Sequence, residues 1–182
     1  MAESNGRSDE QLVEAANRGD PRAFDALYQR HKAWAAQLSY RFTGNHDDAM
    51  DVMQEAFIYL LRKFPGFRLT AAFTTFLYPV IKNIALSRLR KTRRIVLDEN
   101  IVLYAGEPPK ESGAERSLAD IVTTLPAIHR EVLLMRFVDD MKLEDIAEAL
   151  AVPLGTVKSR LHNALKALRE DESTRSYFEE LQ

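Results

Sequence analysis

The stretch from Leu143 to Leu165, LEDIAEALAVPLGTVKSRLHNAL, constrains the fold more than any other part of this chain. Ile146, Ala147 and Leu150 recur at helical spacing, Ala151-Val152-Pro153 interrupts the period, and Val157, Leu161, Leu165 and Leu168 resume it. Two helices meeting at a tight corner are predicted. Pro153 cannot continue the first helix but suits the start of the second, small Ala147 allows close approach, and Val157 supplies a buried plug between them. This is a helix-turn-helix pattern. The outer face of its second helix carries Thr156, Lys158, Ser159, Arg160, His162 and Asn163, all able to reach phosphates or base edges. A helical hairpin with a solvated basic face is the plainer reading of the same residues, and this segment alone leaves it open.

Charge is distributed in a way that the net value of −2 hides. Residues 1–94 carry 15 Lys/Arg against 10 Asp/Glu, whereas residues 95–182 carry 10 against 17. A basic first half suits a polyanion, and the acidic surface elsewhere either faces solvent or meets something basic. The concentration is sharpest from Ala56 to Leu97, forty-two residues with no acid and nine Lys/Arg. A solvated face normally mixes signs, and a one-sign field of this length repels itself unless an anion relieves it. Nucleic-acid contact is therefore favoured over plain solvation.

Within that region Pro65-Gly66 ends one helix, a loop passes Arg68, and a further helix runs from about Phe73 to Arg90 or beyond. Its end, KNIALSRLRKTRR, buries Ile81, Ile84, Ala85 and Leu89 and exposes Lys82, Asn83, Arg88, Arg90 and Lys91. Pro79 lies inside this pattern, where it removes one backbone hydrogen bond and predicts a bend. Phe67, Phe73, Phe76 and Tyr78 cluster beside it; most read as core, with one or two able to stack on unpaired bases.

The preceding segments read as helices with explicit start signals. Residues 1–7 are small and polar and are expected to be disordered. Ser8 with Gln11 forms a capping-box pattern, Asp20-Pro21 opens a long helix striped by Phe24, Leu27, Tyr28, Trp34, Leu38 and Phe42, and Gly44-Asn45 breaks it and caps the next. That third helix, expected over Asp47 to Phe64, has a core stripe of Ala49, Val52, Met53, Ala56, Phe57, Leu60, Leu61 and Phe64. Asp47, Asp48, Asp51, Gln54 and Glu55 gather in its first half, partly through helix-dipole complementarity.

Residues 95–114 lose helical periodicity, contain Gly106, Pro108, Pro109 and Gly113, and read as a flexible linker. Helical patterning resumes with Leu118, Ile121, Val122 and Leu125, and Pro126 opens a helix lined by Val132, Leu133, Met135 and Phe137. The fold class is all-α, with two small helical domains joined by a flexible linker.

With both halves considered, the chain resembles a bacterial RNA polymerase sigma factor of the sigma-70 family, extracytoplasmic-function type, over roughly residues 8–172. DAMDVMQEAF at 48–57 is similar to that family's polymerase-binding signature, and FTTFLYPVIKNIALSRLRK at 73–91 to its promoter-melting helix that reads the minus-ten element. LPAIHREVLLMRF at 125–137, followed by GTVKSRLH, resembles the domain that reads the minus-thirty-five element. The resemblance implies a first domain over 8–94, a linker over 95–114 and a four-helix second domain over 115–172 containing the helix-turn-helix. It also implies that Asp48, Asp51, Gln54 and Glu55 dock on the clamp coiled coil of the largest subunit of core RNA polymerase. Arg68, Lys82 and Asn83 then contact the minus-ten strand, with Arg88, Arg90 and Lys91 on phosphates. In the helix-turn-helix, Thr156 is placed for phosphate and Lys158, Ser159, His162 and Asn163 for the major groove of promoter DNA, with Arg160 a further DNA-binding residue. Asp140 and Lys142 stand where the family usually has glycine and a Ser/Thr cap, so either the helix start is shifted or Asp139 or Asp140 caps it. An inhibitory anti-sigma protein is a candidate partner.

Two other classes compete. A stand-alone helix-turn-helix regulator explains the opening stretch but leaves 48–57 unaccounted for. An enzyme finds no phosphate loop or nucleophile elbow, and His31, His46, His129 and His162 show no metal-ligand spacing. No catalytic residue, metal or cofactor is expected. Cysteine is absent, which removes disulfides and thiol chemistry, and no apolar run approaches membrane-spanning length; a soluble, cytoplasmic protein without membrane insertion is expected.

Overall fold

The computed structural model describes residues 6–93 and 122–171 of the 182-residue chain, which divides into two compact units, residues 1–96 and 97–182. All regular elements among the described residues are helices. The first unit holds α1 (Asp9–Asn17), α2 (Pro21–Thr43), α3 (His46–Leu61) and α4 (Phe73–Arg93). The second holds α5 (Ala127–Phe137), α6 (Leu143–Ala149) and α7 (Leu154–Glu170), with a helical turn at 122–124 before α5. The linker expected at 95–114, the start of the helix expected near Leu118 and the tail beyond Asp171 lie outside the described residues.

The start signals work locally as their chemistry requires. Ser8 Oγ accepts from the Gln11 amide at 3.3 Å while the Gln11 side chain accepts from the Ser8 amide at 2.9 Å, closing the capping box on α1. Asp20 accepts from the Arg22 amide at 3.0 Å, with Pro21 in the first turn of α2. Asn45 accepts from the amides of Asp47 and Asp48 at 2.8 and 3.2 Å. Arg7, expected to be disordered, instead pairs with Asp20 at 3.5 Å, and its carbonyl accepts from Arg30 at 2.8 Å.

The first unit's core is made where α2 faces α1, α3 and α4. Leu12, Leu27, Leu38, Phe42, Val52, Leu60, Leu77, Tyr78 and Ile81 are all fully buried, and each such side chain contributes about 1.5–3 kcal/mol of apolar transfer. α3 ends three residues earlier than its periodicity suggested. Lys63 and Phe64 bond to carbonyls three residues back, tightening the chain before Pro65, whose ring disfavours α geometry in the residue preceding it. Leu61, expected in the core stripe, is 51% exposed. α4 continues through Pro79 to Arg93.

The second unit packs α5 and α6 against α7. Leu125, Leu133, Ala164 and Leu168 form one buried cluster, and Met135, Ile146 and Val157 are fully buried. Arg130 donates to the carbonyls of Thr123 and Leu125, fastening the 122–124 turn to α5.

Candidate nucleic-acid interface

The corner between α6 and α7 is a Schellman-type helix end. Val152 N–H bonds to the Ala147 carbonyl and Ala151 N–H to that of Glu148, both at 3.0 Å, which requires Ala151 to take the left-handed conformation at φ 52°. Pro153 then starts α7, with the amides of Thr156 and Val157 bonding back to its carbonyl. Val157 fills the angle as the sequence suggested. Lys158, Ser159, His162 and Asn163 are left exposed on one side of α7, with Thr156 and Arg160 half-buried at its margins. Ser159 Oγ donates to the Thr156 carbonyl at 3.0 Å, so its hydroxyl oxygen is what remains for a ligand.

The entrance to α6 departs from expectation. Neither Asp139 nor Asp140 caps it: the helix starts after Lys142, which makes no side-chain cap bond. Asp140 has φ 50°, the left-handed geometry that glycine takes most easily, and its carboxylate meets Arg136 at 3.4 Å. Arg136 also donates to the Met141 carbonyl at 3.2 Å, so the turn is held from the preceding helix rather than by a cap.

In the first unit, the loop between α3 and α4 is pinned by a residue that sequence reading missed. Asn17, at the end of α1, donates to the Phe67 carbonyl and accepts from the Gly66 amide, each at 2.7 Å. Gly66 sits at φ 108°, a conformation unsuited to side chains. Phe67 is buried between Phe64 and Phe76, with centroids 5.5 and 4.7 Å away, which leaves adjacent Arg68 exposed. Phe73 and Tyr78 are fully buried and unavailable for base stacking; Phe76 is half-buried. No local pattern pairs Asn17 with a loop about fifty positions away.

On α4, Asn83, Arg90 and Lys91 are exposed and Lys82 is half-buried. Arg88, expected on phosphates, turns toward α3: Nη1 donates to Asp51 Oδ2 at 2.9 Å, and Nε and Nη2 donate to Glu55 Oε2 at 3.2 and 3.0 Å. The bond to Asp51 raises the Arg88 pKa above its ordinary range; partial burial opposes this, and Glu55 adds to it. A groove of about 570 Å³ between the two helices is lined by Asp48 and Glu55 on one wall and Asn83 and Lys91 on the other. Gln54 lies elsewhere, in an apolar groove of about 370 Å³ with Phe24, Tyr28, Phe57, Ile58 and Leu61. Ile58 is 49% exposed. The acidic-amide face thus divides into a charged part and an apolar part. The exposed pair Ile58 and Leu61, three residues apart, was the sequence signal for the latter.

The histidines are dispersed. His31 bonds to Asp9 at 2.9 Å and stacks on Phe73 with centroids 4.3 Å apart, a packing role. Burial pushes the Asp9 carboxyl up, but hydrogen bonds and charge from His31 and then Arg30 outweigh it and hold the pKa below its ordinary value. Among the described residues no group of three His, Asp or Glu is arranged to hold a metal, and no helix is long and apolar enough to cross a membrane.

These surfaces coincide with known family regions. The family described as Sigma-70 region 2 matches residues 27–95, and Sigma-70, region 4 matches residues 115–168. The RNA polymerase sigma-H factor of Pseudomonas aeruginosa is 34% identical over 176 residues, 88% of this chain and 91% of that protein. The ECF RNA polymerase sigma-E factor of Haemophilus influenzae is 32% identical over 173 residues, 86% and 91% of the two chains. The chain belongs to the sigma-70 family of RNA polymerase sigma factors, in its extracytoplasmic-function group. It is a promoter-recognising initiation factor rather than a stand-alone regulator. Its fold matches that of the sigma factor RpoE from Bartonella quintana, solved in complex with the anti-sigma factor NepR, with a TM-score of 0.60 at 19% identity over 81% of this chain and 94% of that one.

Proposed function

We propose that the first unit, residues 8–94, grips the clamp coiled coil of core polymerase through Asp48, Asp51, Gln54 and Glu55, and meets the minus-ten element through Arg68, Lys82 and Asn83, with Arg90 and Lys91 on phosphates. The second unit, residues 115–172, reads the minus-thirty-five element through Thr156, Lys158, Ser159, Arg160, His162 and Asn163, and residues 95–114 link the two. Strand opening follows from differential binding. A surface that holds an extruded base and its phosphates better than the paired duplex shifts the equilibrium toward melting without bond chemistry. The protein acts in the cytoplasm and has no catalytic activity of its own. An anti-sigma protein is a fitting regulator, since a structural neighbour was solved with one.

The observation that carries this reading is the exposed, carboxylate-free donor face of α7 in one unit, combined with an acidic patch and a basic helix side by side in the other. One surface of each sign is what a subunit needs to hold a protein and DNA at once. The test is reconstitution with core polymerase on genomic fragments. Promoter-dependent transcript is expected from the wild type, and Asp51→Arg is expected to weaken core binding at least about tenfold, since one reversed interfacial charge costs several kcal/mol. Unimpaired core binding by Asp51→Arg would remove the acidic patch from the interface.

A further inference from the structure

Arg88 lines the same groove as Asn83 and Lys91, but its guanidinium does not stay open to that groove as a free donor. Its guanidinium instead bridges two carboxylates that are four residues apart on α3. Like charges at that spacing repel, and a cation between them relieves the repulsion. The bridge uses Oδ2 of Asp51 and Oε2 of Glu55. Oδ1 and Oε1 accept no hydrogen bond among the described residues, and the two side chains remain 60% and 52% exposed. Each carboxylate is thus fixed by one oxygen and open at the other. A planar fork achieves this where a single ammonium would not, because its donors diverge at fixed angles.

We infer that Arg88 is a positioning residue for polymerase docking, holding Asp51 and Glu55 in one arrangement so that their remaining oxygens meet basic groups of the polymerase already ordered. This rests on Asp51 and Glu55 belonging to the polymerase-facing surface. Side chains ordered before docking do not lose their rotamer freedom in the complex, which raises affinity without a new contact. Arg88 thereby leaves the set of phosphate contacts and joins the protein-facing set, acting from the helix that carries the DNA-facing residues.

The experiment is a double-mutant cycle on the full chain, titrated against core polymerase without DNA. Arg88→Ala is expected to weaken core binding about five- to tenfold, the lower part of the loss anticipated for freeing two rotamer-rich side chains that stay half exposed, and Arg88→Lys to fall between it and wild type. In an Asp51→Asn, Glu55→Gln background, Arg88→Ala is expected to have no further effect on core binding, a non-additivity that places its action in these two carboxylates. Thermal unfolding of each variant identifies any loss of fold, and Arg88→Lys serves as the folded comparison should Arg88→Ala unfold. Unchanged or tighter core binding by folded Arg88→Ala overturns the inference. So does a fall of about one in the salt slope of promoter binding, which marks a phosphate contact. If the Asp51→Asn, Glu55→Gln background itself binds core normally, the assignment of the acidic face fails first and the inference falls with it.

Discussion

Helices α4 and α7 carry similar donors, yet their surroundings differ in kind. On α7, Lys158, Arg160 and His162 have no carboxylate partner among the described residues, and the apolar side of the helix is sealed by Val157, Ala164 and Leu168. On α4, Arg88 is forked between Asp51 and Glu55, and the groove beside it presents both signs of charge. A helix that serves one polyanion can leave its donors to solvent. If α4 stands between a protein partner and DNA, as proposed, its charges must be divided between the two, and the pairing of Arg88 with Asp51 and Glu55 does the dividing.

The largest expected effect breaks this comparison at α7. Asn163→Ala or His162→Ala should reduce discrimination at one base pair by about 1–3 kcal/mol while leaving core binding intact. Arg90→Ala on α4 should weaken binding to all promoter variants alike and reduce the salt slope by about one. Competition binding by the reconstituted holoenzyme against single-base promoter variants, at several salt concentrations, measures both. A shift in base preference with Arg90→Ala would show that α4 reads sequence through its cations and that the two helices are closer in kind than their surroundings suggest.

What could be read from the sequence was local. Ser8 with Gln11, Asp20-Pro21, Asn45 and Val157 each act on groups within a few residues, so their roles follow from spacing alone. The bonds that place the candidate surfaces are long-range: Asn17 to Gly66 and Phe67, and Arg88 to Asp51 and Glu55. A run of basic residues shows that a field exists, but it does not show which member turns toward a neighbouring helix. Leu61 misled for a related reason. Its helical position suits a core stripe, but α3 ends there and Leu61 stays 51% exposed among the described residues.

A second contrast separates the two units under acid. The first is tied at its N-terminus by Asp9, which meets both Arg30 and His31 and is only 20% exposed, whereas Asp140 and Glu170 in the second meet Arg136 and Lys166 in exposed i,i+4 contacts. The folded pKa of Asp9 lies below its ordinary value, so its stabilisation is fully present above the unfolded value near 3.8 and is lost as pH falls through the lower folded value. Asp9→Asn should cost about 1–2 kcal/mol at neutral pH, in the range of charge-assisted hydrogen bonds that are partly open to water. It should also flatten the acid limb of the first unit's stability. Hydrogen exchange resolved by segment, followed from pH 7 to pH 3, separates the units; an acid limb unchanged by Asp9→Asn would place the acid sensitivity elsewhere.

The smallest effects lie in the two turns of the second unit, where Ala151 and Asp140 both hold positive φ, at 52° and 50°. For alanine this geometry costs about 1–2 kcal/mol because Cβ crowds the following carbonyl. Ala151→Gly removes that strain but returns part of the gain through a more flexible unfolded chain, leaving a net stabilisation of about 0.5–1 kcal/mol. Asp140 tolerates the same region better, since a short polar side chain can bond locally, and its carboxylate meets Arg136 at 3.4 Å while being 98% exposed. A pair so open to solvent contributes little. Asp140→Gly should therefore shift stability by no more than about half as much as Ala151→Gly, and the order of the two is the informative result. Exchange rates of the α5 and α6 amides in the full chain report it. Should Asp140→Gly stabilise more, the aspartate is the more strained of the two in left-handed geometry, and the residue tolerance ascribed to that turn is wrong.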